Sequence, residues 1–248
     1  MKPERKLKAG IFSFACCEGC QLEILDLWER LVQMLKFTDI EYFKMAQEKN
    51  AVTRMDIAIV EGSISTKEEA ERIKDIRSKT RLLVTIGECS SSGGIPAMRN
   101  EKKIRLPKGT LEKTTGVDRH VKVDYHLRGC PINRKEFLSL ITGIVFGKTP
   151  LEVDHPVCME CTARENDCLL LKGEPCMGPI TCGGCNALCP SIGSACEGCR
   201  GIMKDAGLRQ FRKKMEEIGI PKRKVDNMLK RFASDELDIV KEEQNKHG

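Results

Sequence analysis

The sequence is poor in aromatic residues and has no stretch dominated by one sign of charge. Of its 248 residues only 11 are aromatic, and one of these is tryptophan. Proteins that bind single-stranded nucleic acid combine a basic groove with aromatic side chains on which bases stack. Here 42 basic residues are interspersed with 36 acidic ones, so the net charge of +6 is not concentrated anywhere. We therefore expect no nucleic-acid partner.

The sequence also lacks the signals that direct a chain to a membrane or to secretion. No apolar run approaches the roughly 18 residues that would indicate a bilayer-spanning helix. The first eight residues are mostly charged, unlike a secretory signal. We expect a cytoplasmic protein without membrane insertion. Thiols stay reduced in that compartment, where many cysteines usually indicate bound metal.

Cysteine, in contrast, is abundant. The chain has 14 cysteines, too many for ordinary packing roles. A disulfide scaffold is disfavoured because a chain of this length can bury an adequate apolar core without cross-links. Zinc and iron–sulfur clusters remain. The most informative positions are four C-x2-C pairs, Cys17/Cys20, Cys158/Cys161, Cys182/Cys185 and Cys196/Cys199, and two Cys-Pro dipeptides that begin at Cys130 and Cys189.

Residues 1–150 alternate between strand-like and helix-like patterns, which predicts a parallel sheet covered by helices on both faces. Glu69 is placed to form a capping box with Thr66 at the start of one helix. The predicted strands are 8–14, 56–61, 82–87 and 121–127, and the predicted helices are 22–35, 67–79 and 135–146.

Cysteines follow three of these predicted strands. Cys16, Cys17 and Cys20 come after the first, Cys89 after the third and Cys130 after the fourth. Ligands of open α/β sheets gather at the carboxyl ends of the strands, so these thiols are expected to meet at one site. Two acids belong to the same region. Glu18 and Glu61 are candidates for proton transfer, for fixing an interface or merely for capping a turn.

The texture of the sequence changes after Pro150. Residues 151–203 hold nine cysteines with many Gly and Pro residues and little apolar material. Such a segment would depend on bound metal for its stability. Residues 204–248 return to helix-like sequence of mixed charge, which we interpret as a solvated helical appendage that packs on the body of the protein or on a partner. The predicted domains are therefore 1–150, 151–203 and 204–248.

Three features favour iron–sulfur clusters over zinc. Cys-Pro after C-x2-C-x3-C at 182–190 resembles the end of a ferredoxin motif. The first site combines one C-x2-C pair with two isolated cysteines rather than two zinc knuckles. The cysteine-rich segment contains a single histidine, His155. Twelve of the 14 cysteines would hold three clusters of four ligands each.

Four motifs in the first 147 residues resemble the small subunit of [NiFe]-hydrogenases: CCEGCQLE, EGS, IGECSSSGG and RGCP. They more distantly resemble the cluster-bearing 20 kDa subunit of respiratory complex I. The later run CMECTARENDCLLLKGEPCMGP, followed by GCNALCPSIGSACEGCRG, is similar to the delta-type small subunit of cytoplasmic group 3 enzymes, the NADP-linked sulfhydrogenases. The resemblance implies a flavodoxin-like domain followed by a small ferredoxin-like iron–sulfur domain.

The resemblance also implies ligands. A proximal [4Fe-4S] cluster would be held by Cys17, Cys20, Cys89 and Cys130. Two further [4Fe-4S] clusters would take one set of Cys158, Cys161, Cys168 and Cys176 and another of Cys185, Cys189, Cys196 and Cys199. Cys16 and Cys182 are left over; Cys16 would compete with Cys20, and Cys182 with Cys185.

The implied function is that of an oxidoreductase subunit without its own hydrogen-splitting site. Electrons would pass between the NiFe site of a large-subunit partner and flavin/NAD(P)-binding or further iron–sulfur subunits. Three alternatives stay open: a quinone-linked, complex I-like subunit, a hydrogenase subunit serving a deazaflavin coenzyme or a heterodisulfide reductase, and a zinc-stabilised interaction protein.

Overall fold

The structure is a computed structural model that describes residues 5–102, 104–150 and 153–246, with side chains as far as residue 235. The start of the charged N-terminus (1–4) and the predicted boundary at 151 lie outside the described residues, as do 103, 152, 247 and 248. The chain forms two compact units, Met1–Leu151 and Glu152–Gly248. In the described ranges, no helix combines the length and the apolar character that crossing a membrane requires.

The first unit is built on a five-stranded parallel sheet. Its strand order is β2-β1-β3-β5-β7, and a separate antiparallel pair joins β4 to β6. This is the flavodoxin-like order, in which β2 lies on one side of β1 and the later strands lie on the other side. The predicted α/β class is confirmed. The strands are β1 (Leu7–Ser13), β2 (Thr38–Phe43), β3 (Met55–Glu61), β4 (Ile64–Thr66), β5 (Thr80–Ile86), β6 (Thr110–Thr115) and β7 (Tyr125–Leu127).

Helices cover the sheet, and apolar residues of alternating strand positions fill both layers between them. One layer packs Ile57 and Ile59 of β3 against Phe137, and the other packs Ala58 and Val60 against Ile73. The predicted capping box forms, because Thr66 Oγ1 accepts the Glu69 N–H while the Glu69 carboxylate accepts the Thr66 N–H. The helices are α1 (Gly19–Leu25), α2 (Glu29–Met34), α3 (Lys67–Ser78), α4 (Gly87–Ser92), α5 (Gly94–Ala97) and α6 (Arg134–Val145).

The single helix predicted over 22–35 is two short helices. The break lies at Asp26–Trp28, where Trp28 has a positive φ of 42°. The buried side is formed by Ile24, with Leu27 and Leu31 packed partly against the core. Other apolar residues of this segment lie on a largely exposed side: Leu22, Trp28, Val32 and Leu35.

The second unit contains helices and irregular segments. Within its described residues, β-structure is limited to isolated bridges, Pro156↔Cys182 and Thr181↔Ile202. The helices of this unit are α7 (Val157–Ala163), α8 (Leu188–Ser191), α9 (Leu208–Glu217) and α10 (Lys222–Lys246), with a 3-10 turn at Leu169–Lys172. The last helix, α10, is interrupted at Ala233, whose φ and ψ of −130° and 35° are not helical.

The helical tail supplies the core of this unit. Phe211 and Met215 of α9 and Leu229 of α10 belong to the same buried cluster as Met177 and Ile180 from the cysteine-rich segment. In the part described through residue 235 the tail therefore packs on the body, as expected, but it contributes core residues rather than forming a solvated appendage. The cysteine-rich segment alone has too few apolar residues for a core, and the hydrophobic faces of α9 and α10 provide the missing part.

The layer under α6 predicts a clear stability effect. Phe137 is 1% exposed, whereas Phe146, at the end of the same helix, is 45% exposed. We expect Phe137→Ala to lower the free energy of unfolding by about 3–5 kcal/mol, because it opens a cavity in the core. Phe146→Ala, which loses mainly an edge contact with Phe37, should cost about 1 kcal/mol. Denaturant unfolding followed by circular dichroism measures both, and equal losses would contradict this packing.

Candidate metal centres

Five thiols gather where the parallel strands end. We call Cys16, Cys17, Cys20, Cys89 and Cys130 the first thiol group. Cys16 and Cys17 follow β1, and Cys20 lies in the first turn of α1. Cys89 lies in α4 directly after β5, and Cys130 follows β7. β1, β3, β5 and β7 are neighbouring parallel strands, so their carboxyl ends share one edge of the sheet.

The thiols of the first group are close enough to influence one another electrostatically. The pKa of Cys89 is raised to about 12, first by burial and then by the charges of Cys130, Cys16 and Cys17. Burial, Glu61 and Cys89 likewise raise the pKa of Cys20. Burial followed by the charge of Cys17 raises the pKa of Cys130. These thiols are thus protonated when no metal is bound, and binding a metal as thiolates releases their protons.

Glycines allow the backbone to approach the sulfur atoms. Gly87 has φ +80°, and a Cβ there would overlap the sulfur of Cys20. Gly94 has φ +50°, and a Cβ there would lie 2.8 Å from the Cys89 backbone and 3.0 Å from its sulfur. A side chain at either position would occupy space next to a thiol and strain the backbone.

Glu61 fixes the helix that carries Cys20. It ends β3, is 2% exposed, and accepts the backbone N–H of Cys20 at 3.0 Å and that of Gln21 at 3.2 Å. The Gln21 side-chain amide donates to it as well, at 3.0 Å. A carboxylate at the first turn of a helix satisfies N–H groups that have no partner within the helix. Glu18 precedes α1 with φ 60° and makes no side-chain capping bond.

A second acid at this site was not singled out from the sequence. The Glu88 side chain is buried beside Cys89, and Arg128 Nη1 donates to its Oε1 at 3.1 Å. Its backbone N–H donates to Gly129 O at 2.9 Å, which ties α4 to the loop of Cys130. The signal available in the sequence was the placement of Glu88 and Arg128 next to the motif cysteines.

The second thiol group consists of Cys158, Cys161, Cys168 and Cys176. Cys158 and Cys161 lie one helical turn apart in α7, and Cys168 precedes the 3-10 turn. The pKa of Cys158 is raised to about 12, first by burial and then by the charges of Cys176, Cys161 and Cys168. A Cβ on Gly178 would lie 3.2 Å from the sulfur of Cys158 and 3.5 Å from that of Cys176, so both sulfurs border the same small space.

The third thiol group consists of Cys185, Cys189, Cys196 and Cys199. Burial and then Cys185 raise the pKa of Cys189, while the pKa of Cys196 is raised to about 12 by burial first, with Cys176 and Cys199 contributing. The Cys196 N–H also donates to the sulfur of Cys176 at 3.3 Å. The second and third groups are therefore neighbours, with Cys176 between them. Cys182 is buried in the bridge to Pro156.

A carboxylate connects these two groups. Glu160 lies in α7 between Cys158 and Cys161, and its oxygens accept the N–H groups of Gly184 and Ala187 on either side of Cys185. Burial alone would raise its pKa, but hydrogen bonds from His155, Gly184 and Ala187 outweigh it and hold the pKa below its usual value. Glu160 was not singled out from the sequence, although it stands inside a C-x2-C motif.

The three donor sets consist of cysteine alone. All 14 cysteines are free thiols. Among the side chains that the structure describes, no three Cys, His, Asp or Glu residues converge tightly enough to hold one metal ion. Iron–sulfur clusters are held by cysteine thiolates, so the chemistry of these donor sets fits such clusters.

Comparison with known proteins gives consistent relatives. The family described as NADH ubiquinone oxidoreductase, 20 Kd subunit, matches residues 17–144. Sulfhydrogenase 2 subunit delta of Pyrococcus furiosus is 34% identical over 236 residues, which cover 92% of this chain and 99% of the relative. An iron-sulfur subunit of the F420-non-reducing hydrogenase of Archaeoglobus profundus is 25% identical over 275 residues, which cover 82% of this chain and 85% of the relative.

A solved structure extends the similarity to the fold. A chain of the NAD+-reducing [NiFe]-hydrogenase in the H2-reduced state is 26% identical with a TM-score of 0.54, and the match covers 60% of this chain and 96% of that one. The family match includes Cys17, Cys20, Cys89 and Cys130 of the first thiol group, and the delta-subunit match extends into the second unit. The chain therefore belongs to the family of the NADH ubiquinone oxidoreductase 20 Kd subunit and is a homologue of hydrogenase subunits.

Proposed function

We propose that this chain is the electron-transfer small subunit of a [NiFe]-hydrogenase. It would pass electrons between the NiFe site of a large subunit and a flavin/NAD(P)-reducing partner, and it would do so in the cytoplasm. The observation that carries the proposal is the gathering of 13 of its 14 cysteines into three thiol groups, all on a chain homologous to hydrogenase subunits.

Each thiol group would hold one [4Fe-4S] cluster through four cysteines. The first would use Cys17, Cys20, Cys89 and Cys130, with Cys16 as an additional neighbouring thiol; the other two would use all four members of the second and third groups. Bound clusters would supply one-electron redox chemistry at potentials between roughly −700 and +450 mV. The proton/hydrogen couple, at roughly −0.41 V at pH 7 from about 59 mV per pH unit, lies within that span.

The protein's part is to hold the thiols and to control their surroundings. Glu61 orients the first turn of α1 and so places Cys20, and Glu88 ties Cys89 to the Cys130 loop. Burial of these side chains limits water near the first group. Burial and nearby N–H groups are the means by which proteins tune cluster potentials.

Exposed apolar side chains at the start of α2 and within it support a large-subunit interface on this unit. Trp28 is 74% exposed and Val32, one turn further along α2, is 62% exposed. Both come after α1, the helix that carries Cys20, in the chain. Exposed tryptophan is unusual on a free surface and is enriched among residues that dominate binding energies.

A quinone-linked, complex I-like role is the second candidate, because the matching family takes its description from NADH ubiquinone oxidoreductase. That family match ends at residue 144 and leaves out the second and third thiol groups. The hydrogenase relatives cover both units. One of them is named for not reducing F420, so a different electron acceptor is a variant of the same proposal. H2-dependent reduction of NADP by the native complex would distinguish these roles.

The ligand assignment predicts different effects for two adjacent cysteines. Cys17→Ala should remove about four of about twelve iron atoms per chain, because it removes a proposed ligand of the proximal cluster. Cys16→Ala should retain all of them, which makes it the matched control. Iron and acid-labile sulfide are measured after purification without oxygen. The reverse pattern, with iron lost only from Cys16→Ala, would contradict the assignment.

The interface predicts a loss of partner binding. Trp28→Asp should weaken binding of the large subunit by about 2 kcal/mol or more, roughly thirtyfold, because it places a charge in an apolar contact. Ile104→Asp, at another exposed apolar position of the same unit, is the control and should bind normally. Nickel that co-purifies with the tagged chain measures the association. Normal nickel content in Trp28→Asp would place the interface elsewhere.

A further inference from the structure

Glu160 lies on α7, which carries two cysteines of the second thiol group, but its carboxylate lies beside Cys185 of the third. Its Oε1 accepts the Gly184 N–H and a hydrogen bond from His155 Nε2 at 3.0 Å. Its Oε2 accepts the Ala187 N–H at 3.0 Å and lies 3.8 Å from the sulfur of Cys185. All these partners except His155 belong to the segment 184–187, which begins the third thiol group.

That segment has a conformation that needs support. Gly184, Asn186 and Ala187 all have positive φ, at 103°, 59° and 49°. Non-glycine residues in this region persist only when surrounding contacts impose it, at a cost of order 1–3 kcal/mol each. Successive residues of this type turn their N–H groups inwards and form a concave site for an anion. The Glu160 carboxylate occupies this position, and Arg164 Nε holds Asn186 from the same helix at 2.9 Å.

The carboxylate also places a negative charge beside Cys185. A charge of that sign close to a cluster ligand stabilises the oxidised cluster, which carries less negative charge, and so lowers the reduction potential. His155 partly offsets this charge by donating to it. Other charged groups near the segment are Arg164 and the buried Arg200, whose Nε donates to Gly183 O.

We propose that Glu160 is a positioning residue that holds Cys185 for the cluster of the third thiol group and lowers the reduction potential of that cluster. The inference rests on the proposed function, since it requires that this group bind an iron–sulfur cluster. Glu160 lies within the C-x2-C motif of the second thiol group but would act on the cluster of the third. The clusters of these two neighbouring groups would then have different reduction potentials.

The test is a redox titration of the native complex, purified without oxygen and followed by electron paramagnetic resonance. Glu160→Gln should retain the iron and raise one cluster potential by a tenfold change in the reduction equilibrium, equivalent to about 59 mV for one electron. Glu165→Gln removes the same charge from an exposed position five residues away and should leave every potential unchanged. Full iron content with unshifted potentials in Glu160→Gln would overturn the proposal.

A second variant decides the matter if Glu160→Gln loses its cluster. His155→Ala removes a donor from the carboxylate, so the same potential should fall. If Glu160 only held the loop in place, the potential in His155→Ala would not fall. An unchanged or raised potential in His155→Ala would overturn the proposal. If the unaltered complex shows no iron–sulfur signal at all, the proposed function fails, which is distinct from failure of the role of Glu160 alone.

Discussion

Parallel pairing of β1, β3, β5 and β7 is the constraint on which the first site depends. Cysteines far apart in the sequence meet because each follows a strand that ends at the same edge. The buried carboxylate of Glu61 then fixes α1 to β3 through the N–H groups of Cys20 and Gln21. Glycine at 87 and 94 keeps the space beside two of the sulfurs free. The sheet brings the thiols together, the carboxylate fixes the helix of one of them, and glycine at 87 and 94 leaves room beside the sulfurs.

The second unit brings its cysteines together without a sheet. Its cysteine-rich segment has little regular structure, and α9 and α10 provide an apolar surface on which it packs. Hydrogen bonds to side chains then hold the segment that begins the third thiol group. Glu160 lies within α7 and Arg164 lies at its C-terminal end, and both side chains bond to this segment. The hydrophobic core and these polar contacts have different roles. Packing stabilises the unit, whereas the carboxylate determines where one sulfur lies and what charge it experiences.

Much of the first unit could be predicted from sequence because buried parallel strands have strong local signals. The run DIAIVE became β3, whose seven residues are all buried, and the capping box at Thr66 formed as expected. Strand β2 and the break at Trp28 were missed, since neither has a distinctive local pattern. The tail was expected to pack on the body or a partner, but its contribution to the core was missed because many charged residues accompany Phe211, Met215 and Leu229. The role of Glu160 depends on a contact across 24 or more residues, which no local pattern encodes.

Metal analysis of the native complex, purified without oxygen, is the most direct test of the electron-transfer role. We expect about 12 iron atoms and a matching amount of acid-labile sulfide for this chain, from three four-iron clusters. We also expect nickel in a co-purifying large subunit. Zinc in place of iron would contradict the electron-transfer function itself. Iron without nickel would contradict the hydrogenase role and favour the quinone-linked role.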